Sequence, residues 1–215
     1  MSNGKNTSKR LRQDPMLLRN HYPCCGTWDM PFINDSEVDL SKVELIAADH
    51  IKDHDSSPNI FKTIHFFVED EKLDKYFYDP YRYIGRLAQY AHVLTPDFSQ
   101  YTDMPMAVQM YSTFKNRWCG ACWQEHGLSV IPTVGWSTPK SFEFCFDGIQ
   151  RGSAVAISSL GARHDKKAFL EGYYAMKEII HPRQILCFSK PFDEIEDDVF
   201  YVDYREITRR KNNGK

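Results

Sequence analysis

Seven short runs rich in β-branched and aromatic residues punctuate the chain: VELIAAD (43–49), KTIHFFV (62–68), AHVLT (91–95), LSVIPTV (128–134), SAVAIS (153–158), QILCFS (184–189) and VFYVDY (199–204). Runs of this length and composition suit buried or half-buried strands. Most begin 18 to 37 residues after the one before, and three of the gaps carry helical periodicity. These are PYRYIGRLAQY (80–90), a long stretch from about Pro105 to His126, and KKAFLEGYYAMKEII (166–180), where Phe169, Tyr173, Met176 and Ile180 form one apolar stripe. Parallel neighbours require crossovers of this kind. The expected fold class is α/β: a (β/α) barrel-like arrangement of about seven parallel strands, with an open doubly wound sheet as the alternative.

A chain of 215 residues with 42% apolar and 14% aromatic content is long enough for one well-buried domain. Residues 16–207 are assigned to it, between polar basic tails at 1–15 and 208–215 that read as disordered. The balance of 27 basic against 29 acidic residues creates no global field toward nucleic acid or membrane. Binding of a polyanion must then be local, and Lys5, Lys9, Arg10, Arg12, Arg205, Arg209, Arg210 and Lys211 in the end segments are candidates for it. No apolar run approaches the roughly 20 residues of a membrane span, and the N-terminus lacks a secretory signal's apolar stretch. The chain reads as cytoplasmic, with no membrane partner. P-loop, Rossmann, HExxH and nucleophile-elbow motifs are absent, so the cofactor is unknown.

WCGAC at 118–122 has the outline of a dithiol redox centre. That chemistry needs its first cysteine at a helix N-terminus, where unpaired amides and the dipole lower the thiol pKa. Here a helix beginning near Pro105 places Cys119 and Cys122 toward its end, with Gly127 as the stop. Helix packing is the expected role of these thiols. A zinc site joining them to Cys24 and Cys25 is disfavoured because adjacent cysteines chelate awkwardly. His50 and His54 have metal-compatible spacing only on a helix, and ADHIKDHD reads as a solvated loop. No metal site is assigned.

In parallel α/β folds, ligands bind at the C-terminal ends of strands. Those ends carry Asp49 after LIAA, Glu69 and Asp70 after HFFV, Asp97 after VLTP, Trp136 after IPTV and Ser158 after VAI. Asp97 is the first candidate for acid–base or nucleophilic work, because partial burial beyond an apolar strand raises a carboxyl pKa. Asp70 is its candidate partner. Asp103 either joins them or caps the helix near Pro105, with capping preferred. Asp49 and Ser158 are candidate binding groups on the same rim. Trp136 offers a stacking surface, and Tyr83 and Arg82 offer stacking and phosphate contacts unless their helix is simply amphipathic. Arg117 qualifies as an anion ligand only if its helix face turns toward the rim.

The ordered motifs VLTPDFSQYTDMP, NRW, VIPTVGW, SFEFCFDGI and EGYYAMKEIIHP, with IHFFVEDEKLDKYFYDPYRY upstream, span roughly residues 19 to 190. Together they resemble a bacterial and bacteriophage family catalogued only as a domain of unknown function. The resemblance implies a prophage or mobile-element context. That family more often carries Leu and Tyr at the positions of Cys119 and Cys122, which implies a shared function independent of these thiols. Two functions are carried forward. One is an enzyme acting on a nucleotide or nucleic-acid base at the C-terminal rim; its TPD and IPTV strand ends are distantly similar to base-exchanging transglycosylase barrels, an analogy of fold alone. The other is a non-catalytic protein that engages a host protein or a small nucleotide. Several carboxylates with perturbed pKa values converging in one pocket favour the first, Asp49, Asp70 and Asp97 on different faces count against it, and a broad exposed aromatic patch favours the second.

Overall fold

A computed structural model of the chain describes residues 21–195 and 199–203. A short antiparallel hairpin, Cys24–Cys25 (β1) with Met30–Pro31 (β2), comes first. The seven apolar runs then supply seven parallel strands: Leu45–Ala47 (β3), Thr63–His65 (β4), His92–Leu94 (β5), Val130–Ile131 (β6), Ala154–Ser158 (β7), Gln184–Phe188 (β8) and Val199–Val202 (β9). They form a four-stranded sheet, β3-β4-β5-β6, and a three-stranded sheet, β7-β8-β9, each in sequence order. The sheets meet at a single parallel bridge between Thr133 and Ala156, where Val134 N–H donates to Ala156 O at 2.8 Å and Ala156 N–H donates to Pro132 O at 2.9 Å. Among the described residues no ladder joins β3 to β9, so the expected barrel is not closed. Strands of two or three residues in the first sheet offer few ladder bonds to hold the curvature that closure demands. The tails assigned to 1–15 and 208–215 lie outside the described residues.

Three helices fall where periodicity predicts them and one does not: the unpredicted Asp74–Tyr78 (α1) and the expected Tyr81–Leu87 (α2) precede β5, Met106–Glu125 (α3) follows it, and Lys166–Ile180 (α4) connects β7 to β8. In α4 the stripe Phe169, Tyr173, Met176 and Ile180 is buried, Asp165 caps the start by accepting from Ala168 N–H at 3.1 Å, and left-handed His181 ends it. Gly127 adopts φ +80°, a conformation that costs glycine little. Its N–H closes α3 on Gln124 O while Leu128 N–H returns to Trp123 O. The crossovers β3–β4 and β6–β7 contain only 3-10 turns, at Pro58–Phe61 and Pro139–Glu143. His50 and His54 lie outside any helix.

The interior of α3 departs from the apolar rule. Gln109, Thr113, Asn116 and Arg117 are buried beside Trp118, Cys119, Cys122 and Trp123. Buried polar groups must be hydrogen-bonded, so this helix is seated by tertiary hydrogen bonds as much as by apolar packing. A separate apolar cluster unites the two sheets through Leu94, Ile131, Ala154, Ala156 and Leu186, with Phe67, Phe200 and Val202 against it.

Candidate functional site

A cleft of about 930 Å³ opens at the C-terminal ends of β4, β5, β6 and β7, and the first turn of α4 forms its far wall. The segments that line it are those following the strands: Phe67 to Glu69, Asp97 to Asp103, Val134 to Ser137, and Ser158 with Leu160 to Ala162. This is where parallel sheets leave room for a ligand, because each chain turns away from its neighbour once the ladder ends.

Two sets of hydrogen bonds, both made by side chains of α3, hold the segments that line the cleft. Asn116 Nδ2 donates to Pro96 O at 2.7 Å and to Thr133 O at 3.2 Å, tying the strand end before Asp97 to the end of β6. Thr133 N–H donates to Thr95 Oγ1, and Thr133 Oγ1 returns a bond to Thr95 O. Gln109 Nε2 holds Tyr101 O and Met104 O, while its Oε1 accepts from the Ser137 hydroxyl. Thr113 spends its proton on Gln109 O and accepts from Gln100 Nε2, which fixes the orientation of the Gln100 amide. The motifs NRW, TPD and IPTVGW are therefore parts of one physical object.

Asp97 stands on this platform. Its carboxyl makes no hydrogen bond or ion pair among the described residues, and burial, reinforced by the negative charge of Asp70, pushes its pKa up to about 7. The residue keeps partial exposure, so the carboxyl is desolvated by protein on most sides yet borders the cleft. Asp70 lies behind it, accepting from Ser99 Oγ at 2.9 Å and from Ser99 N–H at 3.3 Å. Asp70 thereby anchors the loop that follows Asp97.

Asp103, Trp136 and Ser158 also line the cleft. Asp103 does not cap α3: Pro105 occupies the N-cap with no side-chain cap bond, and Val108 and Gln109 N–H groups bond to Pro105 O. Ser158 Oγ accepts from Leu160 N–H at 3.2 Å, holding the turn after β7. The Trp136 indole packs 5.2 Å from the Phe169 ring and over Gly172 of α4. A Cβ at Gly172 would lie 2.1 Å from Trp136 Cδ1. Gly172→Ala is expected to displace the indole and cost roughly 1–3 kcal/mol in urea unfolding, with Trp136→Phe recovering part of the loss in the double variant. Equal stability of Gly172→Ala and wild type would show that the indole is not wedged there.

The remaining candidates lie away from the lining. Asp49 pairs with Lys72 at 3.3 Å beside His50. Tyr83 packs on Tyr76 at 4.8 Å, with Arg82 and Arg86 over its ring. Arg117 is 1% exposed and donates to Asp147 O, Thr133 O, Cys145 O and Asn116 Oδ1. Its helix face turns into the protein, and the guanidinium organises backbone rather than facing the cleft. Sequence reasoning passed over Gln100, Gln109, Thr113 and Asn116. Their signal was the spacing of 109, 113 and 116, a polar stripe on the face that also carries large aromatic residues.

Cys119 and Cys122 are both fully buried, and burial is the leading reason their thiol pKa values are raised. Both thiols are expected to resist a thiol reagent in the native protein. The Cys119→Ala, Cys122→Ala double variant should retain function, at a cost of about 1–3 kcal/mol from the small cavities. Loss of function in a folded double variant would return these cysteines to consideration. Among the described residues no three His, Cys, Asp or Glu side chains gather as a metal site. No helix among them is long and apolar enough to cross a membrane.

A family model described as "Domain of unknown function (DUF4417)" matches residues 22–205. The Gene 1 protein of Mycobacterium phage L5 is 36% identical over 180 residues, covering 82% of this chain and 78% of the relative. The Gene 1 protein of Mycobacterium phage D29 is 40% identical over 180 residues, with the same share of this chain and 66% of the relative, just under two thirds of its length. No solved structure matches. The resemblance carried by the TPDFSQYTDMP, NRW, VIPTVGW and SFEFCFDGI motifs is borne out.

Proposed function

This chain belongs to the DUF4417 family, with relatives in mycobacteriophages, and from that premise we propose that it is an enzyme of a phage or other mobile element acting on a nucleotide or nucleic-acid base. The observation that carries this reading is the Asp97 carboxyl, unpaired at the edge of a cleft and poised to titrate at about 7. A proton-transfer group is most effective when its pKa lies near the working pH, since both forms are then populated. Asp97 serves as the acid–base group, burial with a smaller contribution from the Asp70 charge sustains its raised pKa, and Trp136 provides the flat surface against which a base stacks. The seven parallel strands, in sequence order and touching at Thr133 and Ala156, support reading the scaffold as an open barrel whose mouth is the cleft.

Mass spectrometry of ligands copurifying with the protein, together with nucleoside profiles of expressing cells, tests the assignment. Wild type should alter a base or nucleoside pool that Asp97→Ala leaves unchanged. Undiminished conversion by Asp97→Ala would remove Asp97 from the mechanism. A second reading, a binding protein that engages a host protein, is favoured by one observation. Tyr78 and Tyr111 are 52% and 44% exposed, and their hydroxyls lie 3.3 Å apart on the surface formed by α1 and α3. Capture of a host protein that depends on both tyrosines, with nucleoside pools unaltered, would select it.

A further inference from the structure

The charge of the cleft restricts what enters it. Four acidic residues line it, Glu69, Asp97, Asp103 and Asp165, together with His164; no lysine or arginine lines it among the described residues, and Glu69 is paired with Lys72 at 2.7 Å from outside the lining. The nearest cations in sequence are already engaged. Lys166 pairs with Glu194, while the Arg163 guanidinium donates to Lys190 O at 3.3 Å and lies over the Phe192 ring. The start of a long helix ordinarily attracts phosphate through its free N–H groups and dipole. At α4 that role is taken by Asp165, whose carboxylate accepts from Ala168 N–H and places a negative charge where an anion would sit. Asp103 stands just before the start of α3 on the same cleft. The rest of the lining includes Phe67, Tyr101 and Trp136, while Phe98 and Phe169, also on it, are nearly buried at 3% and 6% exposure. Aromatic walls reward a flat ligand, and the carboxylates repel an anionic one.

We propose that the group entering this cleft is a planar heterocycle, neutral or positively charged, a nucleobase or nucleoside, and that the phosphates of any nucleotide or strand carrying it stay outside. The inference rests on the base-directed reading above and adds the substrate class: a nucleoside, or a base turned out of a strand, rather than a nucleotide gripped by its phosphate.

Isothermal titration calorimetry on the full chain tests it, with adenosine and guanosine set against their 5′-monophosphates. At low salt, about 50 mM, at least one nucleoside should bind roughly tenfold or more tightly than its monophosphate, and the gap should shrink near 0.5 M salt as screening shortens. Glu69→Gln, Asp103→Asn and Asp165→Asn together should narrow the gap at low salt by tightening monophosphate binding, with asparagine still able to cap α4. Monophosphates that bind as tightly as nucleosides, or no nucleoside binding at millimolar concentration, would overturn the proposal. Selective nucleoside binding without turnover would leave it standing and remove the enzymatic reading. Turnover of a substrate whose 5′-phosphate raises affinity would do the reverse.

Discussion

Asp97→Asn is expected to make the protein more stable above pH 7 and, on the acid–base role proposed for this residue, to reduce base or nucleoside conversion by about a hundredfold or more. In the unfolded chain this carboxyl titrates near 3.8, and in the folded protein near 7. Below about 4 both states hold the proton and the group contributes no difference. As pH rises from about 4 to 7 the unfolded chain releases it while the folded protein still binds it, so stability from this group declines through that window and levels off above it. Asparagine cannot ionise. At pH 8 the variant should gain on the order of 4 kcal/mol relative to wild type, less whatever the cleft recovers by hydration, and at pH 4 almost nothing.

His65 works in the opposite direction over part of the same range. It is 2% exposed between Phe67 and Phe188, and burial lowers its pKa to about 4. Acidification from about 6.5 toward 4 therefore costs the folded state through His65 while relieving it through Asp97. Urea unfolding of wild type and Asp97→Asn at pH 5 and pH 8 separates the two, because the His65 contribution cancels in the difference between proteins. A stability difference that is the same at both pH values would mean that Asp97 does not titrate as the cleft geometry requires. A gain in stability on neutralising a buried carboxylate is the usual signature of a group held against its own solvation preference.

Arg117→Met should destabilise the protein by about 3–5 kcal/mol in urea unfolding. Methionine fills much of the volume but offers no donors, so the carbonyls of Asp147, Thr133 and Cys145 would lose bonds of 2.8, 3.1 and 2.6 Å inside a closed interior. Burial lowers the guanidinium pKa to about 10, which still leaves it charged at neutral pH. Lysine keeps a charge but lacks the planar fork, so Arg117→Lys should recover only part of the loss. Because Asn116 and Thr133 share the network with the strand end before Asp97, the methionine variant should also weaken ligand binding at temperatures where it remains folded. A variant as stable as wild type would show that these carbonyls find other partners and that the network is not what seats α3.

Local periodicity made much of the scaffold legible. Each of the seven apolar runs contains a strand, and the stripe of α4 is buried as its three-and-four spacing requires. Gly127 ends α3 because a left-handed turn residue is readable from one position and its neighbours. The β1–β2 hairpin went unread, since strands of two residues carry no measurable alternation. Cys119 and Cys122 lie toward the end of α3, as Pro105 and Gly127 imply, but burial is the leading cause of their raised pKa values.

Spacing along the chain is enough to reveal the seven parallel strands, the three longer helices and the rim on which Asp97 stands, because each follows from local periodicity or from the rule that parallel sheets bind at strand ends. The folded packing sets whatever depends on direction. It turned Arg117 inward, left Asp103 in the cleft rather than on the helix cap, set Asp49 with Lys72, and gathered Gln100, Gln109, Thr113 and Asn116 beneath Asp97. The physical reason is that a buried polar side chain is placed by partners far away in sequence, here up to 30 residues for Arg117, and no local pattern records where they lie.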